Sequence, residues 1–356
     1  MKQYMSPKLS NSEFRNKTIL VTGGTGSIGS EIVRQLLSCK PNAIRIFSRD
    51  EDRQYKLMHA LKPADPKLDK LRFFIGDVRD VERLRVAMEG VDIVFHAAAL
   101  KQVAICEYNP FEAIKTNIIG TQNVISVARE MGVDKVIGIS TDKVAEPEGV
   151  LGVSKLMAEK LFLASYYYKG DKKTKFACVR FGNVLGSRGS LLPLIKQKMI
   201  SGEPVPITDP AMTRFIMSIP QAVSLVLEAS SRMQGQEIFI LKMPAVRLGD
   251  LIDSAIAHYA SVLGKQARSF KTEFVGKRDG EKMHEKLLAD HEIAKALETE
   301  RMYILVPGEQ IGVESYKAHY PKAVHARKSN GYSSQEASRL SKEEIQTVIK
   351  EADVYL

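Results

Sequence analysis

From residue 18 to about residue 185, short apolar runs alternate with longer stretches of helical spacing. Thr18-Ile19-Leu20-Val21 is the first run and predicts a buried strand. Ile28, Ile32, Val33, Leu36 and Leu37 follow at the spacing of one helix face. Further strands are predicted at 43–47, 71–75, 91–96, 133–141 and 176–180. Between them, 101–117 reads as a loop and helix with Pro110 near its start, and 154–168 reads as a helix. This alternation predicts an α/β fold built on a doubly wound parallel sheet. Past residue 185 the elements shorten and proline and glycine become more frequent. The expected division is a Rossmann domain over 1–185 and a smaller lobe with a tail over 186–356, with some crossover of the chain between them. Residues 1–16 read as a polar leader, and a closing helix is predicted from Ser341.

The turn after the first strand is Thr22-Gly23-Gly24-Thr25-Gly26-Ser27-Ile28-Gly29. A strand, a glycine-rich turn and a helix start form a site for a dinucleotide pyrophosphate. Gly23 is expected to permit the tight turn, Gly26 to leave room for phosphate, and Gly29 to let the helix pack closely on the strand. The second strand ends in Ser48-Arg49, where NAD sites usually carry an acid for the ribose hydroxyls. A guanidinium suits a 2′-phosphate, so NADP is expected, while Asp50 and Glu51 keep NAD open. Asp77, with Val78, is placed to meet adenine or to cap the next helix, and Ala97-Ala98-Ala99 offers a backbone that can lie against the cofactor.

Composition narrows the class. The 356 residues can bury a full core, and no apolar run approaches the ~18 residues of a membrane span. Cys39, Cys106 and Cys178 are few and lack metal-binding spacing, which favours a reducing cytoplasm and no metal. The net charge of +10 suits anionic ligands such as nucleotide diphosphates. No zinc-finger, RNP or helix-turn-helix signature accompanies it, so nucleic acid is not expected as a partner.

Several stretches resemble the extended short-chain dehydrogenase/reductases that act on nucleotide sugars. They are Ala97-Ala98-Ala99-Leu100-Lys101-Gln102-Val103, Ser140-Thr141-Asp142-Lys143, Arg180-Phe181-Gly182-Asn183-Val184, Met212-Thr213-Arg214-Phe215 and Gly280-Glu281-Lys282-Met283-His284-Glu285. Within that superfamily they are similar to the inverting UDP-N-acetylglucosamine 4,6-dehydratases. One departure is plain. The Tyr-x-x-x-Lys of the superfamily is here Leu151-Gly152-Val153-Ser154-Lys155, so an apolar residue stands at the tyrosine position.

The resemblance implies NADP-dependent dehydration of UDP-N-acetylglucosamine by a homo-oligomer paired through helices near 105–125 and 154–168. It gives Asp142 the role of acid toward the C6 hydroxyl and Lys143 that of base toward the C5 proton, with burial expected to make the lysine less basic. Thr141 is expected to bond the sugar near O4 and Lys155 the nicotinamide ribose. Asn183, Arg188, Arg214 and Arg278 look like diphosphate and uridine contacts. Thr208, Glu281 and Lys101 are further substrate candidates, and His284 reads equally as a packed side chain. Alternatives are a 5,6-dehydratase that releases an unsaturated sugar, a 4-epimerase, and a dinucleotide-sensing regulator.

Overall fold

In the computed structural model, seven strands run parallel through one large sheet and three antiparallel strands extend it. The described residues are 12–62, 69–168, 170–277, 280–307, 313–327 and 331–353. The first half alternates as β1 (Thr18–Thr22), α1 (Ser27–Leu37), β2 (Ala43–Ser48), α2 (Glu51–Leu61), β3 (Leu71–Ile75), α3 (Val81–Met88) and β4 (Ile93–His96). Then come α4 (Val103–Tyr108), α5 (Pro110–Ala113), a π-helical stretch at Ile114–Ile119, α6 (Gly120–Glu130), β5 (Lys135–Ile139), α7 (Val150–Ala164) and β6 (Lys175–Arg180).

The second half is β7 (Asn183–Leu185), α8 (Leu191–Ser201), β8 (Val205–Ile207), β9 (Thr213–Ser218), α9 (Ile219–Arg232), β10 (Ile238–Leu241), β11 (Ala245–Arg247) and α10 (Leu248–Val262). It ends with β12 (Thr272–Phe274), β13 (Lys286–Leu288), β14 (Ala296–Glu298), β15 (Met302–Leu305), α11 (Val313–Lys317), β16 (Val324–His325), β17 (Tyr332–Ser333) and α12 (Lys342–Asp353).

The large sheet has the order β16-β14-β15-β10-β6-β5-β4-β1-β2-β3. Strand order reverses between β1 and β4, so a crevice opens above their carboxyl ends. This is the doubly wound α/β fold that the alternation predicts. All five residues of β1 are buried, as a central parallel strand requires, whereas edge strand β3 buries only Leu71. Beyond residue 185 the chain serves two bodies. β10, β14, β15 and β16 extend the large sheet. Leu192, Ile195, Ile252, Ala255, Val348 and Ile349, from α8, α10 and α12, form a separate apolar core.

Two elements differ from their predicted bounds in ways that matter for the site. β5 stops at Ile139, and Asp142–Val144 forms a 3-10 turn begun by Thr141, whose hydroxyl accepts from the Lys143 amide. α7 begins at Val150 rather than 154, which places Leu151 in its first turn. In the 101–117 stretch a helix opens at Pro110 as expected, and α4 precedes it where a loop is expected; the two are separated at Asn109, because the residue before Pro110 is driven out of helical geometry (φ −126°).

Candidate active site

The glycine turn follows β1 at the crevice. Gly23 has φ +65°, and a Cβ there would sit 2.7 Å from the Ala98 nitrogen, so the turn and the end of β4 touch backbone to backbone. Gly29 packs on the turn rather than on the strand: its missing Cβ would lie 2.3 Å from the Gly23 carbonyl oxygen. Gly26 caps α1 without a side-chain bond, which leaves first-turn amides open to an anion. These features fit a dinucleotide pyrophosphate. Thr22 does not face that space. It is fully buried, and its hydroxyl bonds His96 Nδ1 at 2.8 Å. Thr25 bonds Ser48 through their hydroxyls at 2.7 Å, and Ile28 packs against the core.

At the end of β2, Arg49 lies 3.5 Å from Asp77, and its side chain is exposed. Asp50 is the N-cap of α2 and accepts from the Arg53 amide, so that carboxylate is already engaged. Asp77 does not cap α3; Asp80 does. Burial tends to raise the Asp77 pKa, but bonds from Arg79, with Arg49 nearby, carry it below the usual value. Val78 is buried.

The centre of the site is at the carboxyl end of β5. Asp142 is 1% exposed, and its Oδ1 accepts from Thr141 Oγ1 at 3.0 Å and from Lys143 Nζ at 3.0 Å. Gly182 allows this burial, since a Cβ there would lie 3.1 Å from Asp142 Oδ2. A third group, absent from the sequence-based candidates, joins them. Glu285 places Oε1 3.6 Å from Lys143 Nζ with its side chain 5% exposed. Asp142 Oδ2 and Glu285 Oε2 are buried without a hydrogen-bond partner.

The expected drop in lysine basicity is reversed here. Desolvation lowers the Lys143 pKa, but the charges of Asp142 and Glu285 outweigh it and the net direction is up. Glu285 is itself raised, first by burial and then by Asp142. The available signal in the sequence is the 278–285 cluster, in which the resemblance points to Arg278 and Glu281 and not to Glu285.

Glu285 is fixed from below. Its amide donates to Ser334 Oγ, and the Ser334 amide donates to the Glu285 carbonyl. Beyond it, Arg180 is fully buried and bonds Glu159 on α7 at 2.8 Å, Glu292 at 2.8 Å and the Leu287 carbonyl at 2.9 Å. One guanidinium thus ties the helix that carries Lys155 to the segment that carries Glu285.

Lys155 donates to the Ile139 carbonyl at 2.6 Å, and desolvation pushes its pKa down. Leu151 is 5% exposed and packs with Cys106 and Ala113, so the tyrosine position is sealed in apolar contacts. The remaining candidates scatter. Arg188 reaches the cofactor turn: its amide donates to Ser27 Oγ and its guanidinium to the Thr25 carbonyl. Desolvation and then Arg188 lower the Lys101 pKa, although Lys101 stays open to solvent. Arg214 donates to the Met283 carbonyl and acts on the charges of Lys143 and Glu285. Thr208 gives its hydroxyl to Met212 Sδ. His284 bonds the Thr213 hydroxyl. Asn183 is exposed on β7 and Glu281 is half-buried. Arg278 lies outside the described residues.

Residues 19–307 match the polysaccharide biosynthesis protein family. The chain belongs to that family. An uncharacterized membrane protein of Methanocaldococcus jannaschii is 49% identical over 95% of this chain and 96% of its own. The inverting UDP-N-acetylglucosamine 4,6-dehydratase of Campylobacter jejuni is 44% identical over 83% and 84%. The UDP-glucose 4-epimerase of Rickettsia canadensis is 38% identical over 94% and 96%. Among solved structures, Pen from Bacillus thuringiensis superposes with a TM-score of 0.85 at 39% identity, over 95% and 98%. Among the described residues, no helix is long and apolar enough to cross a membrane.

Proposed function

We propose that this family member is an NADP-dependent dehydratase of UDP-N-acetylglucosamine that yields a 4-keto-6-deoxy sugar nucleotide. The observation that carries the reading is the buried Asp142, bonded to Lys143 at 3.0 Å, at the carboxyl end of β5. The likeness to the Campylobacter enzyme supports it. NADP is favoured over NAD because Asp50 is engaged as a helix cap while Arg49 is exposed toward solvent.

Bound NADP would supply a hydride acceptor for C4 and a hydride donor for C6. Gly23, Gly26 and the first turn of α1 would hold its pyrophosphate, and Ser48, Arg49 and Asp77 its adenosine end. Asp142 takes the O4 proton, relayed by the Thr141 hydroxyl that is bonded to it at 3.0 Å. The C4 ketone acidifies C5, and Lys143 as free amine removes that proton. Asp142 then gives its proton to the C6 hydroxyl, which leaves as water. Lys143 returns its proton to C5 as the hydride reaches C6. Substrate loses one water, and both side chains end as they began. No tyrosine is needed in this scheme, which agrees with the apolar packing of Leu151.

The partner on the α4–α7 face is a second copy of this chain. Ile105, Tyr108, Phe111, Ile119, Val153 and Met157 are exposed there, an apolar patch of the kind that marks an interface. It lies on the helices that the resemblance assigns to pairing.

Incubation with UDP-N-acetylglucosamine in deuterated water, followed by proton NMR, tests the reading. A C6 methyl signal with deuterium at C5 is expected. Vinyl protons would assign a 5,6-dehydratase, and an epimer without water loss would assign a 4-epimerase, the activity named for the rickettsial relatives.

A further inference from the structure

Lys143 must be without its proton before its nitrogen can accept one from carbon. Asp142 cannot take that proton, because in the scheme above it receives the one from O4. Glu285 is the other carboxylate beside the amine, 3.6 Å from Nζ. It is walled from solvent, and its Oε2 is a buried acceptor with nothing bonded to it. A carboxylate placed in this way has room for a proton and little water to supply one. Its surroundings ease protonation relative to an ordinary glutamate: burial and the Asp142 charge raise its pKa, while Lys143, Arg214 and Lys282 act in the opposite sense. The clamp through Ser334 and the Arg180–Glu292 pair hold the segment in place.

We propose that Glu285 is the proton acceptor for Lys143. Before C5 is attacked, the Lys143 ammonium passes one proton to the Glu285 carboxylate, which leaves a neutral amine and a neutral carboxylic acid. No charge leaves the site and no outside base is required. Glu285 acts through Lys143, so it is a positioning and proton-holding residue rather than one that touches the sugar. The inference rests on the dehydratase reading and is tested separately from it.

The test compares wild type with Glu285→Gln and Glu285→Asp, each loaded with NADP and given UDP-N-acetylglucosamine in deuterated water. Deuterium entry at C5 is followed from pH 6 to pH 9. In wild type the rate is nearly flat across neutrality. In Glu285→Gln it falls about 100-fold at pH 7. It then climbs about tenfold per pH unit, because solvent must take the lysine proton. Glu285→Asp keeps an acid near the amine and restores the flat profile in part. A purely structural residue would lower the rate evenly at every pH. A Glu285→Gln profile that parallels wild type overturns the proposal.

A second measurement needs no substrate. Competitive acetylation of Lys143, read by mass spectrometry, gives the pH at which the amine becomes reactive. Wild type is expected to react at a nearly constant rate across neutrality, and Glu285→Gln to climb about tenfold per pH unit from a lower start. Parallel profiles in the two proteins overturn the proposal even if UDP-N-acetylglucosamine proves not to be the substrate. Failure of wild type alone to exchange C5 overturns the dehydratase reading and leaves the acetylation result to decide the role of Glu285.

Discussion

The Arg188 guanidinium donates to the carbonyl of Thr25, so a side chain from the loop after β7 lies on the glycine turn after β1. The sequence offers Arg188 as a contact for the substrate diphosphate, and in the fold its bonds go to the glycine turn. Desolvation and the neighbouring Arg53 lower its pKa, and the local charge is positive. Arg188→Ala is expected to weaken NADP binding by about 10- to 100-fold, the range of one charge-assisted bond. UDP binding is expected to change less than about twofold. Titration calorimetry with each nucleotide checks the split, and an equal loss for both would return Arg188 to the substrate.

Asp142 and Lys143 share one hydrogen bond, and the proposed mechanism gives them separate proton transfers. Asp142→Asn and Lys143→Met are each expected to lower turnover by about 10²- to 10⁴-fold while NADP stays bound. Single-turnover absorbance of the reduced nicotinamide separates the two. Lys143→Met should still oxidise C4 and then stall, whereas Asp142→Asn should fail at C4. Wild-type turnover in either variant would remove the pair from the mechanism.

Leu151 sits among Cys106 and Ala113, with Leu100, Val103 and Val150 packed around them. A tyrosine ring there adds volume to a filled site. Leu151→Tyr is expected to cost about 1–3 kcal/mol of stability and to leave kcat no higher than wild type. Thermal melting and steady-state kinetics check both halves. A many-fold gain in kcat would mean that the missing phenol still limits the reaction.

The exposed apolar residues of α4 and α5 include Phe111 at 74% exposure. Phe111→Asp is expected to convert the assembled form to monomer in analytical ultracentrifugation at micromolar protein. An unchanged sedimentation coefficient would place the pairing face elsewhere.

His96 is buried between Thr22 and Thr121 hydroxyls, and desolvation pulls its pKa down to about 3. Unfolded, the imidazole returns to the usual value of about 6.5. The folded state therefore binds fewer protons between these limits. The stability that this site contributes is complete above pH 6.5 and is lost as pH falls toward 3. The loss is about 1.6 kcal/mol between pH 6.5 and 5. His96→Asn, which does not titrate, is expected to flatten that limb. Urea melts at both pH values check the slope, independent of the variant's lower starting stability.

What local sequence determined here is what short-range rules control. Apolar runs such as Thr18–Val21 and the helical spacing that follows Gly26 set the order of strands and helices, and with it the parallel sheet. The glycine turn and the Asp142-Lys143 pair were legible because the residues that make each feature are adjacent in the chain. Contacts between distant segments were decided only by the tertiary structure. Glu285 reaches Lys143 across 142 positions because Ser334 and Arg180 anchor its segment, and nothing near residue 285 encodes that distance. The direction of the Lys143 pKa followed the same rule. Burial alone predicts a weaker base, and only the folded chain reveals that Asp142, and after it Glu285, outweigh that burial.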